Sequence, residues 1–200
     1  MKIFDCFMFY DEELLLDIRM NILNEFVDYF VIVESRNFHN GKERELKFDL
    51  NKYSRFKDKI IYLIQDEEPQ GIKEINISDN EGDKSYKMIF NAHLREHSQR
   101  DFIKNGLDDS NDNDIILISD VDEIPNLQMI NIKSIKNKLI LFEQNIFYYK
   151  LNRFLPGFKW YGTKACKKKH LKSPQWLRNI KNKHYSFFRL DTFFSKSKYI

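Results

Sequence analysis

The sequence predicts an α/β fold of the Rossmann type, in which a mainly parallel sheet is flanked by helices. Short apolar runs rich in β-branched residues alternate along the chain with longer segments that have helical spacing. These runs contain few polar residues, which is typical of strands that are buried on both faces of a parallel sheet. The chain has no internal repeat and no evident linker, and 200 residues suit a single domain with a sizeable core.

The predicted elements follow one another in β-α-β order. Strands are expected at four apolar runs, which are residues 2–9, 29–33, 60–64 and 115–118. One or two further strands, rich in aromatic residues, are expected over 138–151. Helices are expected over 11–26, 48–58, 86–106 and 126–137, the third closed by Gly106 as a cap. The first helix would bury the face that carries Leu14, Leu15, Ile18, Ile22 and Phe26. The polar stretch 65–85 predicts a long loop.

The composition excludes a disordered chain, because 42% hydrophobic and 32% charged residues are typical of globular proteins. The charge is unevenly spread. Residues 151–200 contain 13 Lys and Arg against one acid, whereas residues 1–150 contain 20 against 29 acids. A basic C-terminal quarter suits an anionic diphosphate, an anionic acceptor or peripheral contact with an anionic membrane surface, and equally a solvated surface. Nucleic-acid binding has this charge in its favour but no motif of its own.

Neither targeting signals nor cysteines indicate a secretory route. The N-terminus lacks the apolar run of a signal peptide, and no stretch approaches the roughly 20 apolar residues of a transmembrane helix. Cys6 and Cys166 are too few for a disulfide framework, and their spacing does not match a zinc site. We therefore expect a cytoplasmic protein, at most peripheral to a membrane.

The most informative stretch is residues 114–125, which read Asp-Ile-Ile-Leu-Ile-Ser-Asp-Val-Asp-Glu-Ile-Pro. An apolar strand runs directly into Asp120 and Asp122. Ligands in open α/β sheets bind beyond the carboxyl ends of the strands. Two carboxylates at that place suit a hard divalent cation that also holds a phosphate. The pattern therefore indicates an enzyme for a phosphorylated donor, in which a metal neutralises the leaving diphosphate.

Other interpretations of this stretch stay open at this point. Asp120 or Asp122 would also serve as the N-cap of a following helix. A phosphohydrolase of the haloacid dehalogenase type places an Asp-x-Asp after a buried strand as well, with its first Asp as nucleophile. Such motifs usually open their domain and continue with Gly or Thr, whereas here Glu-Ile-Pro follows. A non-catalytic module that keeps the fold and binds a metal or a nucleotide without turnover is a further alternative.

Several segments in a common order resemble glycosyltransferase family 17. Residues 118–125 look like the metal motif of that family. The resemblance extends from residue 2 to about residue 188 and includes a set of shorter similar segments. These are residues 5–7, 18–19, 27–34 with 41–42, 95–100, 147–149, 160–163 and 173–178. The family includes the enzyme that adds the bisecting N-acetylglucosamine in protein N-linked glycosylation.

The resemblance implies a GT-A-like fold and an inverting transfer from a UDP-sugar, with UDP-N-acetylglucosamine as the expected donor and a glycan as acceptor. It implies that Asp122 coordinates Mn²⁺ or Mg²⁺ and that Asp120 binds the metal through water or holds the ribose. Glu34 would meet the nucleotide at the end of the second strand. Arg95 and Arg100 would line the donor pocket.

Three further residues are candidates for the chemistry. A late His often completes the metal site in GT-A enzymes, so His184 is a candidate ligand, although its segment departs from the family pattern. Inversion needs a base that takes the acceptor proton. Glu123, beside the Asp-x-Asp, and Glu143, before the aromatic run, are the candidates for it. Trp160 and Tyr161 would either stack on a sugar or pack in the core.

Overall fold

Six strands in the described part of the chain form one mixed sheet. The structure, a computed structural model, describes residues 1–149 and 152–182. The strands are β1 (Ile3–Met8), β2 (Tyr29–Ser35), β3 (Ile60–Gln65), β4 (Ile115–Asp120), β5 (Leu139–Leu141) and β6 (Lys164–Lys167). Their order in the sheet is β3-β2-β1-β4-β6-β5. The first four are parallel, and β6 is antiparallel to both β4 and β5. The predicted mainly parallel α/β sheet is therefore confirmed, with an antiparallel extension on one side.

The central strands are buried on both faces, which explains their mostly apolar sequences. On one face, Phe7 packs in a cluster with Leu16 and Met20 of α1 (Glu13–Leu23). On the other face, Val31 packs with Leu177 of α3 (Pro174–Asn179) and with the 3-10 helix Ile103–Leu107. Burying each such aliphatic or aromatic side chain contributes roughly 1.5–3 kcal/mol. These two clusters hold the sheet and its helices together.

The buried face of α1 differs from the predicted one. Leu14 and Ile22 are 68% and 48% exposed, whereas Leu16, Met20 and Arg19 are fully buried. The predicted face was the one that contains only apolar residues. The stripe that contains an arginine is buried instead, because Arg19 forms an ion pair with Asp5 of β1 inside the core.

The long helix α2 (Glu81–Phe102) begins inside the stretch that was predicted as a loop. Its N-cap is Asn80, whose side chain accepts a hydrogen bond from the backbone N–H of Asp83 at 2.9 Å. The predicted cap at Gly106 was wrong, because the chain continues as the 3-10 helix after Phe102. Gly106 is needed for packing: a Cβ there would lie 2.6 Å from Cγ1 of Val31.

Two predicted helices were wrong or shorter than expected. Residues 126–137 form two short 3-10 turns, Leu127–Met129 and Ile132–Ser134, instead of an α-helix. Leu127 and Ile132 reach the core from these turns and produce the helix-like apolar spacing. In the segment 48–58, only a 3-10 helix from Ser54 to Lys59 is present. Among the described residues, no helix combines the length and apolar character that a membrane span requires.

Candidate active site

The strand order reverses between β1 and β4, and a crevice opens at the carboxyl ends of these strands. A cavity of about 560 Å³ lies there. Its walls come from the residues that follow three parallel strands: Tyr10 after β1, Phe38 and His39 after β2, and Asp120 with Asp122 at the end of β4. The Asp-x-Asp of the sequence is thus at the place where open α/β sheets bind ligands.

The two acids of the Asp-x-Asp have different surroundings. Asp122 is exposed to the cavity, and no described residue donates a hydrogen bond to its carboxylate. Asp120 is held by two arginines: Arg100 donates to Oδ1 at 3.1 Å and Arg178 to Oδ2 at 2.6 Å. Asp122 is therefore available for a ligand, whereas Asp120 belongs to a network of charges.

Glu123 anchors the turn that carries both acids. Its side chain is 7% exposed, and three groups donate to its carboxylate. Oε2 accepts from the backbone N–H of Asp120 at 2.8 Å, and Oε1 accepts from Trp160 at 2.6 Å and from Arg178 at 2.8 Å. In this structure its carboxylate does not line the cavity. The predicted catalytic base is therefore placed as a fixed support of the turn.

Arg19 supports the same turn from below. Its Nη1 group donates to the backbone carbonyls of Asp120, Val121 and Glu123 at 3.0–3.3 Å. The rest of the guanidinium binds Asp5 and the hydroxyl of Ser119. A guanidinium carries five N–H donors in a rigid fork, which allows one side chain to hold this many acceptors.

The Trp-Tyr-Gly-Thr segment 160–163 closes the turn from the side. Thr163 donates its hydroxyl to the backbone carbonyl of Glu123 at 2.7 Å. A Cβ on Gly162 would overlap the carboxyl group of Glu123 and lie 2.6 Å from the indole nitrogen of Trp160. Glycine is therefore required for the close approach of this segment to Glu123.

Positive charge balances the buried acids. Arg100 is 3% exposed and binds Glu96 and Gln175 as well as Asp120. Burial disfavours the charge of Arg178, but Asp120 and Glu123 outweigh burial, so the pKa of Arg178 is raised. Nearby Lys164 donates to the backbone carbonyl of Arg178, and burial together with the arginine charge lowers the pKa of this lysine to about 8.

Glu34 lies outside the cavity lining, although it stands next to the last residue of β2, close to its predicted place. It is fully buried and accepts hydrogen bonds from Arg44, from the hydroxyl of Tyr62 and from the backbone N–H groups of Lys47 and Phe48, at 2.7–3.1 Å. The carboxylate thus fixes the segment 44–48 behind the cavity wall.

Arg95 holds the loop after β2 and does not itself line the cavity. It binds Glu68 at 2.8 Å and donates to the backbone carbonyl of His39 at 3.2 Å. Gly41 in this loop has a φ of +86°, and a Cβ there would lie 2.8 Å from Cζ of Arg95. The positive φ favours glycine at this position, whereas the guanidinium lies at the end of a flexible side chain and can shift.

Glu143 is exposed and lies outside the cavity lining. Hydrogen bonds from Lys159 and Tyr161, both at 2.7–2.8 Å, lower the pKa of its carboxyl group. In this arrangement Glu143 is a weaker base than an ordinary glutamate. The remaining candidate, His184, lies outside the described residues.

The described lining of the cavity is rich in acids, since Glu12, Asp120 and Asp122 all contribute carboxylates. Its guanidinium, that of Arg44, is bound by Glu34 and by the carbonyl of Tyr10. An anionic ligand would therefore meet carboxylates in this lining. The described residues contain no group of three His, Cys, Asp or Glu side chains that could hold a metal alone. The hard oxygens of Asp122 nevertheless fit a divalent cation whose other ligands come from a bound phosphate and water.

Sequence reasoning missed Arg19 and the role of Arg178. Arg19 interrupts the otherwise apolar stripe formed by Leu16, Met20 and Leu23, and an arginine inside a buried stripe implies a buried acidic partner. Arg178 reaches Asp120 across 58 residues of sequence, and no local pattern contains that contact. Tyr10 and Phe38, whose rings lie 5.7 Å apart in the cavity wall, also had no distinguishing signal.

A comparison with family models identifies the family of the chain. The family model described as glycosyltransferase family 17 matches residues 1–190. No curated protein and no solved structure matches the chain. The matched region contains the turn with Asp120 and Asp122 and the segments that support it. The chain therefore belongs to glycosyltransferase family 17 and is a glycosyltransferase.

Proposed function

We propose that this chain transfers N-acetylglucosamine, or a related sugar, from a UDP-sugar to a glycan acceptor, with inversion and with the help of Mn²⁺ or Mg²⁺. One observation carries the proposal. Asp122 is exposed, without a described hydrogen-bond partner, in a cavity at the switch point of the sheet. The acids of that cavity would repel a nucleoside diphosphate unless a cation joined the two.

The shape of the cavity suggests how the donor would lie in a GT-A-like arrangement. The side formed by the loops after β1 and β2 presents the rings of Tyr10 and Phe38, which offer flat surfaces for a base. The diphosphate would then lie toward Asp122 at the end of β4. The transferred sugar would lie at the β4 side of the cavity, next to the turn that Glu123 anchors.

The residues of the site would divide the work as follows. Asp122 would hold the divalent cation, which when bound supplies charge neutralisation for the leaving diphosphate. Arg100 and Arg178 keep Asp120 in place through both of its oxygens. The base for the acceptor proton stays a prediction for Glu123 or Glu143. Both carboxylates are engaged by donors in this structure, so either would have to exchange a partner when the acceptor binds.

The test is calorimetric titration of the full chain with UDP-N-acetylglucosamine, with and without Mn²⁺. We expect metal-dependent binding that weakens by about tenfold or more in Asp122→Asn, since a lost charged metal ligand costs more than 1.4 kcal/mol. Asp109→Asn is the matched control, because Asp109 is also an exposed aspartate that no described residue hydrogen-bonds, and it does not line the cavity. Equal binding with and without metal would contradict metal dependence.

Turnover needs a separate measurement, namely release of UDP from the donor with and without oligosaccharide acceptors. Release that increases with an acceptor and depends on the metal and on Asp122 would establish transferase chemistry, whereas release that is independent of the acceptor would show hydrolysis of the donor. Metal-dependent binding without release, for every acceptor tried, would instead identify a module that binds nucleotide sugars without catalysing transfer.

A further inference from the structure

The segment between β5 and β6 leaves the sheet at the same end of the strands as the Asp-x-Asp. Because β5 and β4 are both antiparallel to β6, their carboxyl ends point in the same direction. The chain that follows Leu141 and precedes Lys164 therefore lies at the edge where Asp120 and Asp122 lie. We use the name aromatic ribbon for residues 143–149 and 152–160 of this segment.

The two arms of the aromatic ribbon pair with each other by backbone hydrogen bonds. Gln144 and Trp160 exchange two of them, at 2.8 and 3.2 Å, and Leu155 donates to the carbonyl of Ile146 at 2.9 Å. At its base the ribbon is attached to the site, because the indole N–H of Trp160 donates to Glu123. The ribbon is thus an extension of the site and stands on the β4 side of the cavity.

The ribbon exposes its aromatic side chains more than its aliphatic ones. Ile146 and Leu155 are partly buried. Six rings along the ribbon are between 41% and 94% exposed: Phe147, Tyr148, Tyr149, Phe154, Phe158 and Trp160. The rings of Phe147 and Phe154 face each other across the arms with centroids 5.8 Å apart. So many exposed rings on one short segment call for a partner.

We propose that the aromatic ribbon binds the sugar rings of the acceptor glycan. This inference rests on the proposed function, because it places the acceptor on the β4 side while the donor occupies the cavity. Flat exposed rings offer an apolar surface that matches the C–H face of a pyranose, and the hydroxyls of Tyr148 and Tyr149 can bond to sugar hydroxyls. The attachment through Trp160 and Glu123 then brings a bound sugar next to the turn of the site.

A membrane surface would call for a different distribution of side chains. Segments that lie in an anionic interface combine aromatic and aliphatic residues with Lys and Arg that are available to the lipid head groups. Here the aliphatic side chains Ile146 and Leu155 are partly buried, and Lys159 is paired with Glu143. This distribution, together with the attachment of the ribbon to the site through Trp160, favours a glycan over a lipid surface.

The experiment compares the full chain, the double variant Phe147→Ala/Phe154→Ala, and Ile22→Ala as control. Ile22 has the same 48% exposure as Phe147. It lies near the end of α1, which leads to the amino end of β2, opposite to the carboxyl ends where the Asp-x-Asp lies. Binding to an array of α- and β-linked oligosaccharides of glucose, mannose, galactose and N-acetylglucosamine is measured for each protein. Calorimetry with UDP-N-acetylglucosamine and Mn²⁺ is run in parallel as a readout of the donor pocket.

We expect the full chain and the control to bind at least one class of oligosaccharide, and the double variant to bind it roughly tenfold or more weakly, since two large rings lose their contact area. No oligosaccharide binding by the full chain, or equal binding by the double variant, would overturn the inference. Sedimentation with anionic vesicles that is lost in the double variant, while glycan binding is kept, would overturn it in favour of a membrane. Failure of the donor titration alone would count against the proposed function and leave the glycan comparison to decide the ribbon.

Discussion

Arg19 donates six hydrogen bonds, more than any other side chain among the described residues, and all of them are inside the protein. Its guanidinium holds Asp5 on one strand, Ser119 on another and three carbonyls of the turn after β4. Neither Arg19 nor Asp5 has any exposed side-chain surface. The orientation of Asp122 toward the cavity therefore depends on a residue that no ligand touches.

Replacing this arginine should destabilise the fold strongly. For Arg19→Met we expect a loss of about 3–5 kcal/mol in the free energy of unfolding, because Asp5 would stay buried without its partner. Arg19→Lys restores the charge but not the fork, so it should fall between Arg19→Met and the unchanged chain. Urea unfolding followed by circular dichroism measures both.

The matched control for this prediction is Arg55→Met. Arg55 pairs with Asp17 at 3.0 Å, but both side chains are more than half exposed, so the cost should stay below about 1 kcal/mol. Comparable losses at the two positions would show that burial does not set the strength of the Arg19 pair.

At the scale of elements, the caps of α2 and α3 should have similar effects on stability but different effects on donor binding. Ser173 caps α3 by accepting from the backbone N–H of Trp176 at 3.1 Å, as Asn80 caps α2. Ser173→Ala and Asn80→Ala should each cost about 1 kcal/mol. Only Ser173→Ala should also weaken donor binding in the calorimetric titration, because the short α3 carries Arg178, which holds Asp120. Equal effects of the two variants on donor binding would contradict this role of α3.

The elements that could be predicted from the sequence were those whose burial leaves a local pattern. The strands β1 to β4 are mostly apolar because residues of each strand pack into both core clusters, and each was predicted within a few residues. The helix predicted over 126–137 failed because Leu127 and Ile132 reach the core from separate turns. The start of α2 was missed because its first turns are exposed and only the cap at Asn80 marks them.

At the scale of the whole molecule, the buried lysine of the site makes stability depend on pH. Burial and the charge of Arg178 lower the pKa of Lys164 from 10.5 to about 8. Between those values the unfolded chain binds a proton that the native protein has released, so this group makes stability rise with pH across that window. Below about pH 8 both states are protonated, and the contribution is constant.

Lys164→Met provides the comparison for this prediction. The free energy of unfolding of the unchanged chain, minus that of the variant, should increase from about pH 8 to about pH 10.5 and be level on either side. Thermal or urea unfolding at steps across that range measures it. A difference that falls or stays level within the window would contradict the lowered pKa.

The site could be predicted only as far as local sequence reaches. Asp120 and Asp122 follow a recognisable strand, so their position at the sheet edge was expected and the structure places them there. Glu123 looks like a third acid of the same site from its position alone. Its carboxylate accepts hydrogen bonds from Trp160 and Arg178, which lie 37 and 55 residues away in the sequence. No local pattern near Glu123 indicates these partners. Long-range contacts, not local patterns, separate the available acid from the fixed ones.

The pairing of β1 with β4 has a consequence for how the chain folds. Lys2, just before β1, donates its backbone N–H to the carboxylate of Asp114, just before β4, at a sequence separation of 112 residues. A parallel pair cannot be closed by a hairpin and needs the intervening chain. During synthesis, β1 therefore keeps an open edge until residue 120 has emerged, and open edges attract other chains. The crevice between these strands forms only after that long closure, so a nascent chain that ends before β4 lacks Asp120 and Asp122 and cannot form the complete cavity wall.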